Sequence, residues 1–258
     1  MDVDSLFSIK DKVAIITGGS RGLGKTIATS FAQAGAHVAI FARNKKRIVQ
    51  VVQEVEEVAK GSVIGVAGDI SSEDDVARLF DEVHTSLGLV DVLIANAANI
   101  NRPRENTWEL SRETWDKIVD VTLTGTFLTC RLAAAEMVER GSGKIICIAS
   151  TSSVISSLGH SPYIAAKGGV MQFVQALALE AAPYGVNVNA IGPTFIATEM
   201  TQASLDDPDR YQAIIAQLPL GRPLNPEDLV GACIYLASKA SDMVTGQLIL
   251  VDAGHTIH

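Results

Sequence analysis

A chain of 258 residues, 47% hydrophobic and 19% charged, can bury one large core, and no linker, repeat or low-complexity tract divides it. Its formal net charge of -8 speaks against a nucleic-acid partner, because phosphate backbones are held by clustered Lys and Arg and the one basic cluster, Arg43 to Arg47, is short. There is no signal-peptide pattern and no apolar run of roughly 20 residues, and Cys130, Cys147 and Cys233 lack disulfide or zinc spacing, so a cytoplasmic protein with reduced thiols and no membrane partner is expected.

Short β-branched runs alternate with longer helical patterns, and strands are predicted at 12–17, 37–41, 62–67, 90–95, 144–149, 186–191 and 247–251. Most are continuously apolar, as strands covered by helices on both faces are. Between them Val76, Leu79, Phe80, Val83 and Leu87 recur at helical spacing. Ser71-Ser72-Glu73-Asp74-Asp75 just before them offers N-cap hydroxyls and first-turn acids suited to the positive end of a helix. Such a βα alternation fits an open doubly wound sheet or a closed eight-stranded barrel. The glycines decide between them, because they cluster directly after the first strand, where a doubly wound fold binds dinucleotide phosphates. The expected architecture is α/β: a single-domain, Rossmann-type, doubly wound parallel sheet of about seven strands over residues 1–258.

That first strand runs into Thr17-Gly18-Gly19-Ser20-Arg21-Gly22-Leu23-Gly24, followed by a helix with Ile27, Ala28 and Phe31 on its apolar side. Glycine permits positive φ and close backbone approach, so the helix N-terminus can press its N–H groups against pyrophosphate. The second strand ends in Ala42-Arg43-Asn44, where an NAD site usually carries an acid for the ribose 2′-hydroxyl. A 2′-phosphate needs positive charge and no carboxylate, so NADP(H) is the preferred cofactor, with NAD(H) possible. Asp69, with Ile70 after it, closes the third strand and either receives the adenine amino group or caps the next helix.

Further on, Ser161-Pro162-Tyr163-Ile164-Ala165-Ala166-Lys167 opens a helix that sets Tyr163 and Lys167 four residues apart on one face. A phenol with pKa near 10 is a poor acid–base catalyst at neutral pH, and an adjacent ammonium favours phenolate by about 1 to 3 units.

Together, Gly18-Gly22-Gly24, Asn96-Ala97 after the fourth strand, Ser150 after the fifth, Tyr163 with Lys167, and Pro193 after the sixth resemble the short-chain dehydrogenase/reductase family, including its 3-oxoacyl thioester reductases and gluconate dehydrogenases. The resemblance runs from about residue 10 to 254, and Ser150 stands thirteen residues before Tyr163, as is typical there. It implies hydride transfer between a nicotinamide cofactor and a carbonyl or secondary-alcohol substrate. Tyr163 would be the acid in reduction and the base in oxidation, Ser150 would hold the reacting oxygen, and Lys167 would hold the nicotinamide ribose. Asn96, Ala97 and Ala98 would wall the cofactor, and Pro193, the Ile196 backbone and Thr198 would meet its carboxamide. No metal is implied.

Three departures stand out. Ala95-Asn96-Ala97-Ala98 carries Ala where the family has its first Asn and closing Gly, and Thr194 replaces a Gly. At Thr122 the family has an Asn thought to hold a water linking Lys167 to solvent, and the Thr hydroxyl is expected to take over that relay. A variable substrate lid is expected at about 198–226, helical over 201–217. Ser152, Ser156, His160 and Asn99 either line a pocket for a hydroxylated substrate or are solvated loop residues. His160, an extra acid–base candidate, reads better as a pocket wall or surface group. The apolar helix at about 126–137 and the one after Lys167 resemble the family's pairing helices, which implies a homodimer or homotetramer. A rival reading, a cofactor-binding sensor or interaction protein of the same fold with little turnover, rests on Thr122 alone. Ser150, Tyr163 and Lys167 oppose it.

Overall fold

The computed structural model of the chain describes residues 2–100 and 105–257. Seven strands, β1 (Val13–Thr17), β2 (His37–Ala42), β3 (Val63–Ala67), β4 (Val92–Ala95), β5 (Gly143–Ile148), β6 (Val186–Pro193) and β7 (Leu248–Val251), lie on the apolar runs, with ends shifted by one or two residues. All pair in parallel, in the order β3-β2-β1-β4-β5-β6-β7. A short helix, α1 (Val3–Leu6), precedes the sheet. The crossovers are α2 (Gly22–Gln33), α3 (Lys45–Glu56), α4 (Glu73–Ser86), α5 (Arg112–Val119) continuing into α6 (Gly125–Arg140), and α7 (Ser161–Ala181). Between β6 and β7 come α8 (Gln202–Leu205), α9 (Pro208–Ile215) and α10 (Val230–Ala237).

The strands are apolar at consecutive positions because both faces are covered. Ile15, Ala39 and Phe41 pack with α4, α6 and α7 on one face. Ala14, Ile16, Val38 and Ile40 pack with α2, α3 and α10 on the other. Capping follows the sequence signals. Ser72 accepts from the Asp75 N–H at 3.3 Å to start α4, ahead of its three first-turn acids, and Asn44 accepts from the Arg47 N–H at 3.0 Å to start α3.

One sequence expectation is modified. The helical run Arg112–Arg140 is, by length and a mean hydropathy of 1.3, apolar enough to cross a bilayer, but half of that window is buried in this domain. Leu128, Cys130, Ala133 and Met137 join the core that holds Leu93 of β4 and Ile145 of β5, so the run serves as a core helix.

β1 sits between β2 and β4, so the chain leaves it in opposite directions, and a crevice opens at the carboxyl ends of β1 and β4. The buried Thr17 hydroxyl closes its floor, accepting from the Asn96 and Ala97 N–H groups at 3.0 Å each.

Candidate active site

One cavity of about 920 Å³ lies over that crevice, and nearly all the residues singled out in the sequence line it. Gly18, Ser20, Arg21, Gly22, Leu23 and Gly24 form one end. Gly18 has φ +66°, and a Cβ at Gly24 would stand 2.3 Å from the Gly18 carbonyl oxygen, so the tight approach of α2 to the loop requires glycine. α2 begins here without a side-chain cap and without an acid in its first turn. Its first-turn N–H groups and the positive end of its dipole therefore suit a pyrophosphate, whose charge a capping carboxylate would repel. A dinucleotide fits this cradle. Asn96, Ala97 and Ala98 line the adjoining wall, and Asn96 is fixed by donating from Nδ2 to the Thr17 carbonyl at 2.9 Å.

Beyond the loop, Arg43, Asn44 and Ile70 line the cavity. The Asn44 side chain caps α3, which leaves Arg43 as the cationic group at the end of β2. Asp69 does not line the main cavity. It borders a smaller recess beside Arg43 and accepts from the Ser71 N–H at 2.9 Å and hydroxyl at 2.6 Å, bonds that hold its carboxyl below the ordinary range. It does not cap α4, a task Ser72 performs. Arg47, at the end of the basic cluster, reaches Glu199 across the cavity mouth, with Nη2 2.6 Å from both carboxylate oxygens. The guanidinium holds the Glu199 carboxyl below its usual range.

At the other end α7 presents Tyr163 and Lys167 one turn apart, next to Ser150 beyond β5. The Lys167 Nζ lies 5.8 Å from the Tyr163 ring centroid and donates to the Ile148 carbonyl. Lys167 is 2% exposed, and burial brings its ammonium down to about 8. Ser150 is 8% exposed, and its hydroxyl accepts from the Ser152 N–H at 3.1 Å. Pro193, Ile196 and Thr198 line the same wall. Thr201 pins their loop by donating to the Ile196 carbonyl at 2.6 Å and accepting from the Thr198 N–H at 2.9 Å. Ser152, Ser156 and His160 also line the cavity, the His160 Nδ1 standing 2.9 Å from the Ser157 hydroxyl. Asn99 does not, its Nδ2 donating to the Lys117 carbonyl at 3.1 Å.

Thr122 is fully buried in a five-residue π-helical turn, Asp120–Thr124, between α5 and α6, and is absent from the cavity wall, although Val121 beside it is present. Its hydroxyl accepts from the Asn99 N–H at 3.1 Å. Thr122→Val leaves that N–H without its partner, so a loss of about 1 to 3 kcal/mol in chemical denaturation is expected, with Thr122→Ser retaining most of the stability. Equal stability of the Val and Ser variants would show the bond to be dispensable.

All three cysteines are buried and unpaired. Cys130 and Cys147 lie 3.7 Å apart between sulfurs, beyond disulfide length. The hydrogen bond with the Cys147 thiol, and then burial, push Cys130 well up, and burial pushes Cys233 to about 12, so neither is primed as a nucleophile.

A family profile described as enoyl-(acyl carrier protein) reductase matches residues 18–256. The chain is 39% identical over 249 residues to the 2-dehydro-3-deoxy-D-gluconate 5-dehydrogenase of Pseudoalteromonas atlantica, covering 96% of this chain and 97% of that relative. Among solved structures, a short-chain type dehydrogenase/reductase from Mycobacterium marinum is 35% identical with a TM-score of 0.93, covering 100% of both chains. The gluconate 5-dehydrogenase of Burkholderia cenocepacia, in complex with NADP and tartrate, is 30% identical with a TM-score of 0.91, again covering 100% of both.

Proposed function

The chain belongs to the short-chain dehydrogenase/reductase family, and from that premise we propose that it interconverts a hydroxy and a keto sugar acid with NADP(H) as the preferred cofactor. It is an NAD(P)-dependent oxidoreductase acting on CH–OH and C=O groups. The observation that carries the finer reading is the single cavity joining the glycine loop and Arg43 to Ser150, Tyr163 and Lys167. Glu199 is the one carboxylate among its described lining residues, and Arg47 neutralises it. Such a wall favours an anionic substrate, in keeping with the names of the similar proteins above.

When bound, the nicotinamide supplies or accepts the hydride. The protein's own groups do the rest. Ser150 holds the substrate oxygen, and Tyr163 gives that oxygen its proton in reduction and takes it back in oxidation. The buried Lys167 ammonium favours the phenolate during oxidation. The α2 N-terminus would hold the pyrophosphate, and Arg43 the 2′-phosphate. Asn96, Ala97, Ala98, Ile196 and Thr198 would wall and orient the rest. Thr122 acts as a positioning residue beneath the Asn99 backbone.

The test follows nicotinamide absorbance over a panel of hydroxy sugar acids, neutral polyols and 3-oxoacyl thioesters, each with both cofactors. Higher kcat/KM for a sugar acid with NADP(H) is expected, and faster turnover of a thioester or polyol would overturn the substrate class. Arg43→Ala should weaken NADPH binding by about 1.5 to 3 kcal/mol, the worth of charge-assisted bonds, and leave NADH nearly unchanged. An equal response of both cofactors would remove Arg43 from 2′-phosphate recognition.

We also propose a homodimer or homotetramer pairing through α6 and α7. Their outer faces carry Phe127, 41% exposed and edge-on to Phe173 at 6.0 Å, and Leu179, 81% exposed. A monomer in analytical ultracentrifugation would overturn it.

A further inference from the structure

The segment after β7 is a tightly bonded turn. Asp252, buried, gathers three donors: the Gly254 N–H at 3.0 Å, the Thr256 N–H at 2.9 Å and the Thr256 hydroxyl at 2.7 Å. Ala253 between them has φ 55°, a left-handed conformation that an L-residue adopts at a cost. Its carbonyl accepts from the Leu220 N–H at 3.1 Å, which ties the turn to the segment following α9. Strain of this kind persists where surrounding contacts over-determine it, and it concentrates where a side chain must be aimed.

The side chain carried by this turn is His255, which lines the same cavity as Ser150 and Tyr163. Its Nδ1 lies 2.7 Å from the Thr194 hydroxyl, in the loop that follows β6. Its ring stands 6.5 Å from that of Phe195, tilted by 39°. Thr194 is the position where the family usually has a glycine, so the departure seen in the sequence supplies the hydroxyl that engages this ring. The contact allows the hydroxyl to donate to Nδ1, and in that arrangement the ring proton sits on Nε2 and makes that nitrogen a donor.

We infer that His255 is a substrate-binding residue, its Nε2–H donating to an oxygen at the end of the substrate remote from the reacting carbon, namely the carboxylate of the hydroxy acid. The identity of that oxygen rests on the substrate class proposed above; the contact itself rests on the turn, the Thr194 hydrogen bond and the shared cavity. Thr194 is then a positioning residue, acting through the ring it engages.

The experiment compares wild type, His255→Ala, Thr194→Val and Thr194→Ser on the best substrate found and on its neutral analogue with the carboxylate reduced to an alcohol. Cofactor affinity, measured by fluorescence, reports whether each variant is folded. For the acid, His255→Ala should raise KM by about tenfold or more with kcat within a few-fold, because the contact is made equally in ground and transition states. KM for the neutral analogue should move much less. Thr194→Val should shift KM in the same direction, and Thr194→Ser should restore it. Unchanged KM for the best substrate in His255→Ala, with cofactor binding intact, overturns the contact. If wild type prefers the neutral analogue and His255→Ala still raises its KM, the contact stands and the acid reading falls.

Discussion

Tyr163→Phe is expected to lower kcat by about 10³-fold or more in both directions while leaving the dissociation constant for NADPH within about twofold. The substitution removes one oxygen and keeps the ring, so the packing at the start of α7 and the position of Lys167 Nζ beside it are preserved. What disappears is the group that exchanges a proton with the substrate oxygen. That exchange matters in the transition state and little in the bound ground state. Steady-state kinetics in each direction and a fluorescence titration of cofactor make the check. A variant retaining more than about a tenth of kcat would take Tyr163 out of the chemistry.

Lys167→Met should lower kcat by about 10²-fold or more and also change how stability depends on pH. Burial has brought the Lys167 ammonium down to about 8, whereas in the unfolded chain it titrates near 10.4. Between these values the unfolded chain binds more protons than the folded one, so this group makes the folded state gain stability as pH rises. Below about 8 the charge is present in both states, and its burial counts against folding in full. Met carries no charge. The stability of wild type relative to Lys167→Met should therefore rise from about pH 8 to about pH 10.4 in urea denaturation of the cofactor-free protein. A constant difference would show that Lys167 titrates normally in the folded chain.

The sheet was legible because its signals are local and redundant. Doubly covered strands are apolar at consecutive positions, and the phosphate loop announces itself through glycines that steric crowding requires, as at Gly24. The Tyr163–Lys167 pair could be read because four residues along a helix make one face. What escaped depends on distant partners. Arg47 meets a carboxylate 152 residues away, and Thr194 meets His255 across 61 residues. Nothing in the local pattern around His255 marks it, since its position is set by a left-handed alanine and the buried Asp252. The Thr122 hydroxyl takes its hydrogen bond from a backbone N–H, which no side-chain motif records.

The stitch between Thr17 and Asn96 bears on how the chain reaches its working form. It joins segments 79 residues apart, and the neighbouring β1–β4 pairs, such as Ile15 with Leu93, are equally remote. Contacts this distant carry a loop-closure penalty before they are rewarded, so parallel pairing of this kind forms slowly. Until the register closes, the crevice between β1 and β4 does not exist. Dinucleotide binding is thereby confined to species in which β1 and β4 are paired. Saturating nucleotide, at about 100 times its dissociation constant, should then disfavour by about 2.7 kcal/mol every species in which these two strands have separated, and slow hydrogen exchange at β1 and β4 accordingly.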